Sequence, residues 1–196
     1  MPTFTDTAGL AHRTIFSVCE YAAQNLETAI KFFDCDGLAI TNPSPTHHFF
    51  NVLMKSEAGR EHLHNARENL AAKALGNGQP HLDVCPFTGL LQACVPAKAE
   101  GKPLGYWMIG QTLLPENERS YEYYEQYLHE ISLIIHLHRY PLRKLMWELP
   151  VVPQAEFIKA VHRVDAATRE ALEMLAPPRA VALPHIAPPV AIQPAS

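Results

Sequence analysis

The sequence predicts an α+β fold, an antiparallel sheet with helices packed on one side. Three observations predict it. Residues 81–114 hold three runs that alternate or stay apolar, with turn residues between them. Apolar residues at helical spacing flank this stretch on both sides. The order helix, hairpin, helices, strands, helices suits neighbouring antiparallel strands.

The elements follow in chain order. Residues 9–31 read as helix, because Ile15, Val18, Cys19, Ala22, Leu26, Ala29 and Ile30 recur at helical spacing. Two short apolar runs then flank Asp36-Gly37, a strong hairpin signal, and Asn42-Pro43-Ser44-Pro45 stops the second run. Residues 46–75 read as helix broken near Ser56. Phe49, Phe50, Leu53 and Met54 share one face, Leu63, Ala66, Leu70 and Ala74 continue it, and Gly76-Asn77-Gly78 ends it. Residues 81–85, 90–97 and 103–114 read as strands, with a hairpin loop at 99–102. Gly105 and Gly110 mark a bulge or a close backbone approach. Residues 117–139 carry Tyr124, Tyr127, Leu128, Ile131, Ile134, Ile135 and His138 on one helical face, and Pro141 ends or kinks that helix.

After Pro150 and Pro153 a last helix runs to about Leu175. Its positions Phe157, Val161, Val164, Thr168, Ala171 and Leu175 form a heptad-like stripe. Such a stripe pairs with its own copy or packs on its own sheet. The second is favoured, because barely three heptads are marginal in isolation. Residues 177–196 hold six prolines and a single charge, Arg179. They read as an irregular tail outside the fold, which divides the chain into a folded unit at 1–176 and a Pro/Ala-rich tail at 177–196.

Composition bounds the function. The chain has 196 residues, 47% hydrophobic and 18% charged, which suits one domain at about 100–200 residues each. That apolar fraction excludes a mostly disordered protein. A net charge of −4 argues against direct nucleic-acid binding. No run reaches the ~18 apolar residues of a membrane span, and no leader pattern opens the chain. Four cysteines are too few for a disulfide scaffold. The expectation is a soluble, cytoplasmic protein with reduced thiols.

Several chemistries lack their motif. His129-Glu130 is followed by Leu133 where a zinc-protease helix carries its second histidine. Gly101-Lys102-Pro103 lacks the lead and the hydroxyl of a phosphate loop, and no Gly-x-Ser-x-Gly elbow occurs. Cys19, Cys35, Cys85 and Cys94 include no Cys-x-x-Cys pair. The pairs His62/His64 and His136/His138 sit two apart on helices and point away from each other. Tyr121, Tyr123, Tyr124 and Tyr127 are interleaved with glutamates rather than cations, so they read as helix packing and not as a stacking platform for bases. No catalytic residue emerges, and the protein is read as a non-enzyme.

The series Val84-Cys85-Pro86-Phe87-Thr88-Gly89-Leu90, then Val95-Pro96, then Gly101-Lys102-Pro103-Leu104-Gly105, then Ile109-Gly110-Gln111 resembles the PocR sensory domain. The Asp36-Gly37 hairpin and Ser56-x-x-Gly59 also fit, and the resemblance spans roughly residues 10–175. It implies a PAS-like antiparallel sheet flanked by helices, with a C-terminal helical segment. It also implies a small organic ligand, such as a short alcohol or diol. The matching positions are Cys85, Gly89, Leu90, Pro96, Gly105, Gly110 and Gln111. Many family members carry two further cysteines, and the corresponding places here are Phe50 or Asn51 and His62 or Leu63. Family members usually precede an output domain. Only the tail follows here, so output passes through a partner or a homodimer.

Strand alternation puts Tyr106 and Met108 on one side of the sheet and Trp107 and Ile109 on the other, one pair packing the core or lining a cavity. The expected ligand-binding residues are Cys85, Thr88, Gly89, His62, Phe50, Tyr106, Trp107 and Gln111. The alternative is a Cys/His metal or redox sensor centred on Cys85. Its candidate ligands are Cys85, Cys35 and His62, and Cys94 is a further thiol. No cofactor is required in the first reading; a bound metal belongs to the second.

Overall fold

Residues 91–97 are buried without a break, as a strand is when both faces of its sheet are covered. A computed structural model of the protein describes residue 18 and residues 28–41, 47–99 and 101–173. Its elements are β1 (Ile30–Asp34), α1 (His48–Leu53), α2 (Glu57–Asn77), β2 (His81–Val84), β3 (Leu91–Ala99), β4 (Lys102–Thr112), α3 (Tyr121–Ile134), α4 (Arg139–Met146) and α5 (Gln154–Glu173). The strands form one antiparallel sheet in the order β1-β4-β3-β2. The architecture is α+β, a PAS-like antiparallel sheet flanked by helices with a helical segment at its C-terminal end.

The helices cover both faces of the sheet, not one. Alternation along β3 and β4 explains the difference. Ala93, Val95, Trp107 and Ile109 meet Phe157, Val161, Val164 and Leu172 of α5 on one face. Cys94 and Tyr106 meet Leu70, Ala71 and Ala74 of α2 on the other. The stripe on α5 is thereby spent on its own sheet. Thr168 belongs to it, and its hydroxyl donates to Val164 O at 2.6 Å. A homodimer built on that stripe is set aside, because Phe157, Val161, Val164 and Thr168 are buried against the sheet; Leu175 lies outside the described residues.

Local chemistry fixes the element ends. Ser56 Oγ accepts from Gly59 N at 3.4 Å and starts α2; Gly78, at φ 66°, ends it. This is the expected break near Ser56. Asp34 Oδ1 accepts from Asp36 N and Leu38 N at 3.0 and 2.8 Å, which builds the Asp36-Gly37 turn. The returning arm forms no strand of its own: it meets β1 through an isolated bridge, Phe33 to Ala39, and a few hydrogen bonds such as Ile40 N to Phe32 O at 2.9 Å, while the ladder of β1 runs along β4.

Two helix expectations change. Ile30 begins a strand and pairs with Ile109, so the helix read over 9–31 stops short of it. Residue 18 is helical, and Val18 is buried on the α5 face; most of that span, with Cys19, lies outside the described residues, as does the tail. Pro141 neither ends nor kinks the preceding helix. It sits in the first turn of a separate helix, α4, where its missing N–H costs nothing. His138 caps α4, its Nδ1 accepting from Tyr140 N at 3.3 Å. A second apolar cluster, including Phe49, Cys85, Leu113, Tyr124, Leu142 and Met146, packs α1, α3 and α4 against the turn after β2. Among the described residues no helix is long and apolar enough to cross a membrane.

Candidate functional site

A cavity of about 420 Å³ opens on the α2 face of the sheet. Lys31, Phe33, Met108 and Gln92 line it from β1, β4 and β3, and Phe50, Arg60, Leu63 and Arg67 from α1 and α2. Its size falls within the ~300–1,000 Å³ of small-molecule sites. Gly59 explains how α1 and α2 meet at its edge. A Cβ there would lie 2.2 Å from Leu53 O, so only glycine lets α2 start against the end of α1.

The cavity's polar wall begins at a β-bulge. Leu91 pairs with Thr112 but Gln92 with Gly110, so Gln111 is left over on β4. Gly110, at φ 99°, takes the backbone turn that this requires. Gln111 Nε2 donates to Gln92 Oε1 at 3.1 Å, and Thr88 Oγ1 donates to Gln111 Oε1 at 3.2 Å. Thr88 and Gln92 are buried, so each amide in this relay depends on its neighbour. Gln111→Leu is expected to cost about 1–3 kcal/mol, because it strands the Gln92 carbonyl. Urea titration of the variant checks this; a loss near zero would mean that the relay carries no stability.

The expected site residues divide. Phe50 and Gln111 line the cavity, and Thr88 joins it through Gln111. Tyr106 lies on the cavity side of the sheet but under α2, stacked on Phe33 with ring centroids 5.5 Å apart. Its hydroxyl donates to Glu68 Oε1 at 3.5 Å, and burial raises its pKa to about 12. Cys85 and Gly89 belong to the turn below: Gly89 N donates to Cys85 O and Cys85 N to Leu90 O, both at 2.8 Å. Gly89 has φ 72°, and a Cβ there would lie 2.6 Å from the Tyr127 ring. His62 is exposed and stacks on Phe87 at 4.8 Å, outside the cavity. Trp107 points to the opposite face, into the α5 cluster.

Among the described residues the thiols do not gather. Cys85 is fully buried among apolar side chains. Cys35 sits exposed on the hairpin turn, its Sγ donating to Pro103 O at 3.4 Å. Burial and the carboxylates of Asp34 and Asp36 raise the Cys35 pKa, and burial pushes the Cys94 thiol up to about 12. Both shifts favour the neutral thiol over the thiolate that acts as nucleophile and metal ligand. Among the described residues no group of three His, Cys, Asp or Glu side chains suits a metal ion. A thiolate metal centre does not fit the donors among the described residues.

Sequence reasoning missed the cationic wall. Arg60, Leu63, His64 and Arg67 sit at i, i+3, i+4 and i+7 on α2, one face of a helix, and that spacing was the available signal. Lys31 was hidden by the helical reading of its segment. A second hollow of about 530 Å³ lies between α2 and β2. Its charges, Lys73 and Asp83, neutralise each other at 2.6 Å.

A family model described as the sensory domain found in PocR matches residues 10–173. No curated protein and no solved structure matches the chain.

Proposed function

The chain belongs to the family of sensory domains found in PocR, and on that premise we propose that it is a small-molecule sensor whose ligand occupies the α2-side cavity. The observation that carries the assignment is the cavity itself. It combines an apolar lining with a fixed amide relay, Thr88–Gln111–Gln92, and the usual form of a ligand site is an apolar pocket with a few placed polar groups. The protein works in bacterial signal transduction or transcriptional regulation, in the cytoplasm, and passes its signal to a partner or to a second copy. It binds rather than transforms its ligand, and short alcohols and diols are the first compounds to try.

Thermal unfolding against a panel of short alcohols, diols and organic acids tests this. A true ligand at 100 times its dissociation constant adds about 2.7 kcal/mol of stability. The same compound loses its effect when Phe50→Trp fills the cavity. A panel without any shift sinks the reading.

A further inference from the structure

Among the described residues the cavity wall carries cations and no carboxylate: Lys31, Arg60 and Arg67 line it, and no described Asp or Glu does. Arg67 is already committed: its Nη2 lies 2.9 Å from Glu68 Oε1, and the same nitrogen meets His64 Nδ1 at 2.8 Å. Lys31 and Arg60 have no carboxylate partner among the described residues. Arg60 Nη1 donates to Met54 O and Lys55 O at 3.0 and 3.3 Å, which holds the guanidinium at the end of α1.

Lys31 is the less usual of the two. Ile30 and Phe32 pack into the α5 cluster, so alternation turns Lys31 and Phe33 toward the cavity. The Lys31 ammonium lies 5.2 Å from the centroid of the Phe33 ring and the Arg67 guanidinium carbon 4.3 Å from it. Two cations share one aromatic ring. Burial, and then repulsion from Arg67, lowers the Lys31 pKa. Gln92 completes the donor set. Its Oε1 accepts from Gln111, and its Nε2 has no acceptor among the described residues.

We propose that this cavity takes a small organic acid, its carboxylate held by Lys31, Arg60 and the Gln92 amide, its apolar body against Phe50, Leu63 and Met108. The inference rests on the sensor reading and narrows its ligand class. An anion relieves the repulsion between Lys31 and Arg67, whereas a neutral diol leaves it in place. Charge-assisted hydrogen bonds from several donors are stronger than those a hydroxyl receives.

The test uses the full chain and matched probes: hexanoate against hexan-1-ol and benzoate against benzyl alcohol, by isothermal titration at one ionic strength. The acids are expected to bind about tenfold or more tightly than the alcohols, the effect of one charge-assisted contact. Lys31→Met is expected to remove most of that difference. Arg60→Gln, on an exposed helical turn, repeats the experiment if the strand variant folds poorly. Alcohols that equal the acids, unchanged by either variant, overturn the organic-acid inference and leave the sensor reading standing. Silence from all four probes also overturns it, and the wider panel then judges the sensor reading separately.

Discussion

Trp107→Ala is expected to cost about 3–5 kcal/mol of stability, the loss typical of a large buried aromatic, while the affinity of the remaining folded protein for its ligand stays unchanged. Trp107 is fully buried. It pairs across strands with Phe32 and Val95, and its ring meets Phe32 edge-on with centroids 4.7 Å apart. It belongs to the cluster that holds α5 to the sheet. A domain is stable by only about 5–15 kcal/mol, so this one truncation removes a large share. The indole Nε1 has no hydrogen-bond partner among the described residues. Trp107→Phe, which removes that buried donor with it, is therefore expected to cost far less than Trp107→Ala. Urea unfolding measures the first effect, and titration at low temperature, where the variant is folded, measures the second. A folded Trp107→Ala protein that no longer binds would move the site to the α5 face.

The two sides of β4 show what sequence patterning reveals. Alternation correctly separates Tyr106 and Met108 from Trp107 and Ile109, because the strand period is fixed by backbone geometry. It does not say which side holds the cavity, since that depends on how closely each helix approaches. On the α5 side, Phe157, Val161 and Val164 fill the space. On the α2 side, Ala71 and Ala74 let the helix sit close to Tyr106, and the polar face that begins at Arg60 leaves the hollow. The turn after β2 gave a similar partial result. Cys85, Thr88 and Gly89 were all expected at the ligand, yet only Thr88 reaches the cavity, and it does so through Gln111. Lys31 escaped for a different reason. Ala29 and Ile30 continue a helical spacing, and tertiary pairing of Ile30 with Ile109 overrides it. Pro141 misled because its effect depends on position within a helix, and the first turn accepts it.

The other large effect is expected at Gly105, and it couples the fold to the site. Gly105 lies on β4 opposite Asp34 of β1 and Ala97 of β3. Its φ is 152°, and a Cβ there would lie 2.1 Å from Phe33 O and 2.7 Å from the Phe32 ring. The first obstacle is backbone, which cannot rotate aside as a side chain can. Gly105→Ala must therefore push β1 off β4, at a cost of about 3 kcal/mol or more. Two other glycines separate the causes. Gly101 has φ 77° with nothing within 4 Å of its Cβ position, so alanine there costs only the left-handed conformation, roughly 1–2 kcal/mol. Gly76 lies inside α2 with open space around it, so alanine there stabilises by about 0.5–1 kcal/mol. Urea titration of the three variants is expected to give that order. Only Gly105→Ala should also abolish the ligand-induced thermal shift, because Lys31 and Phe33 line the cavity from the strand it displaces. An alanine at Gly105 that costs no more than the one at Gly101 would show that β1 yields without loss. A ligand shift that survives a displaced β1 would show that the cavity does not depend on that strand.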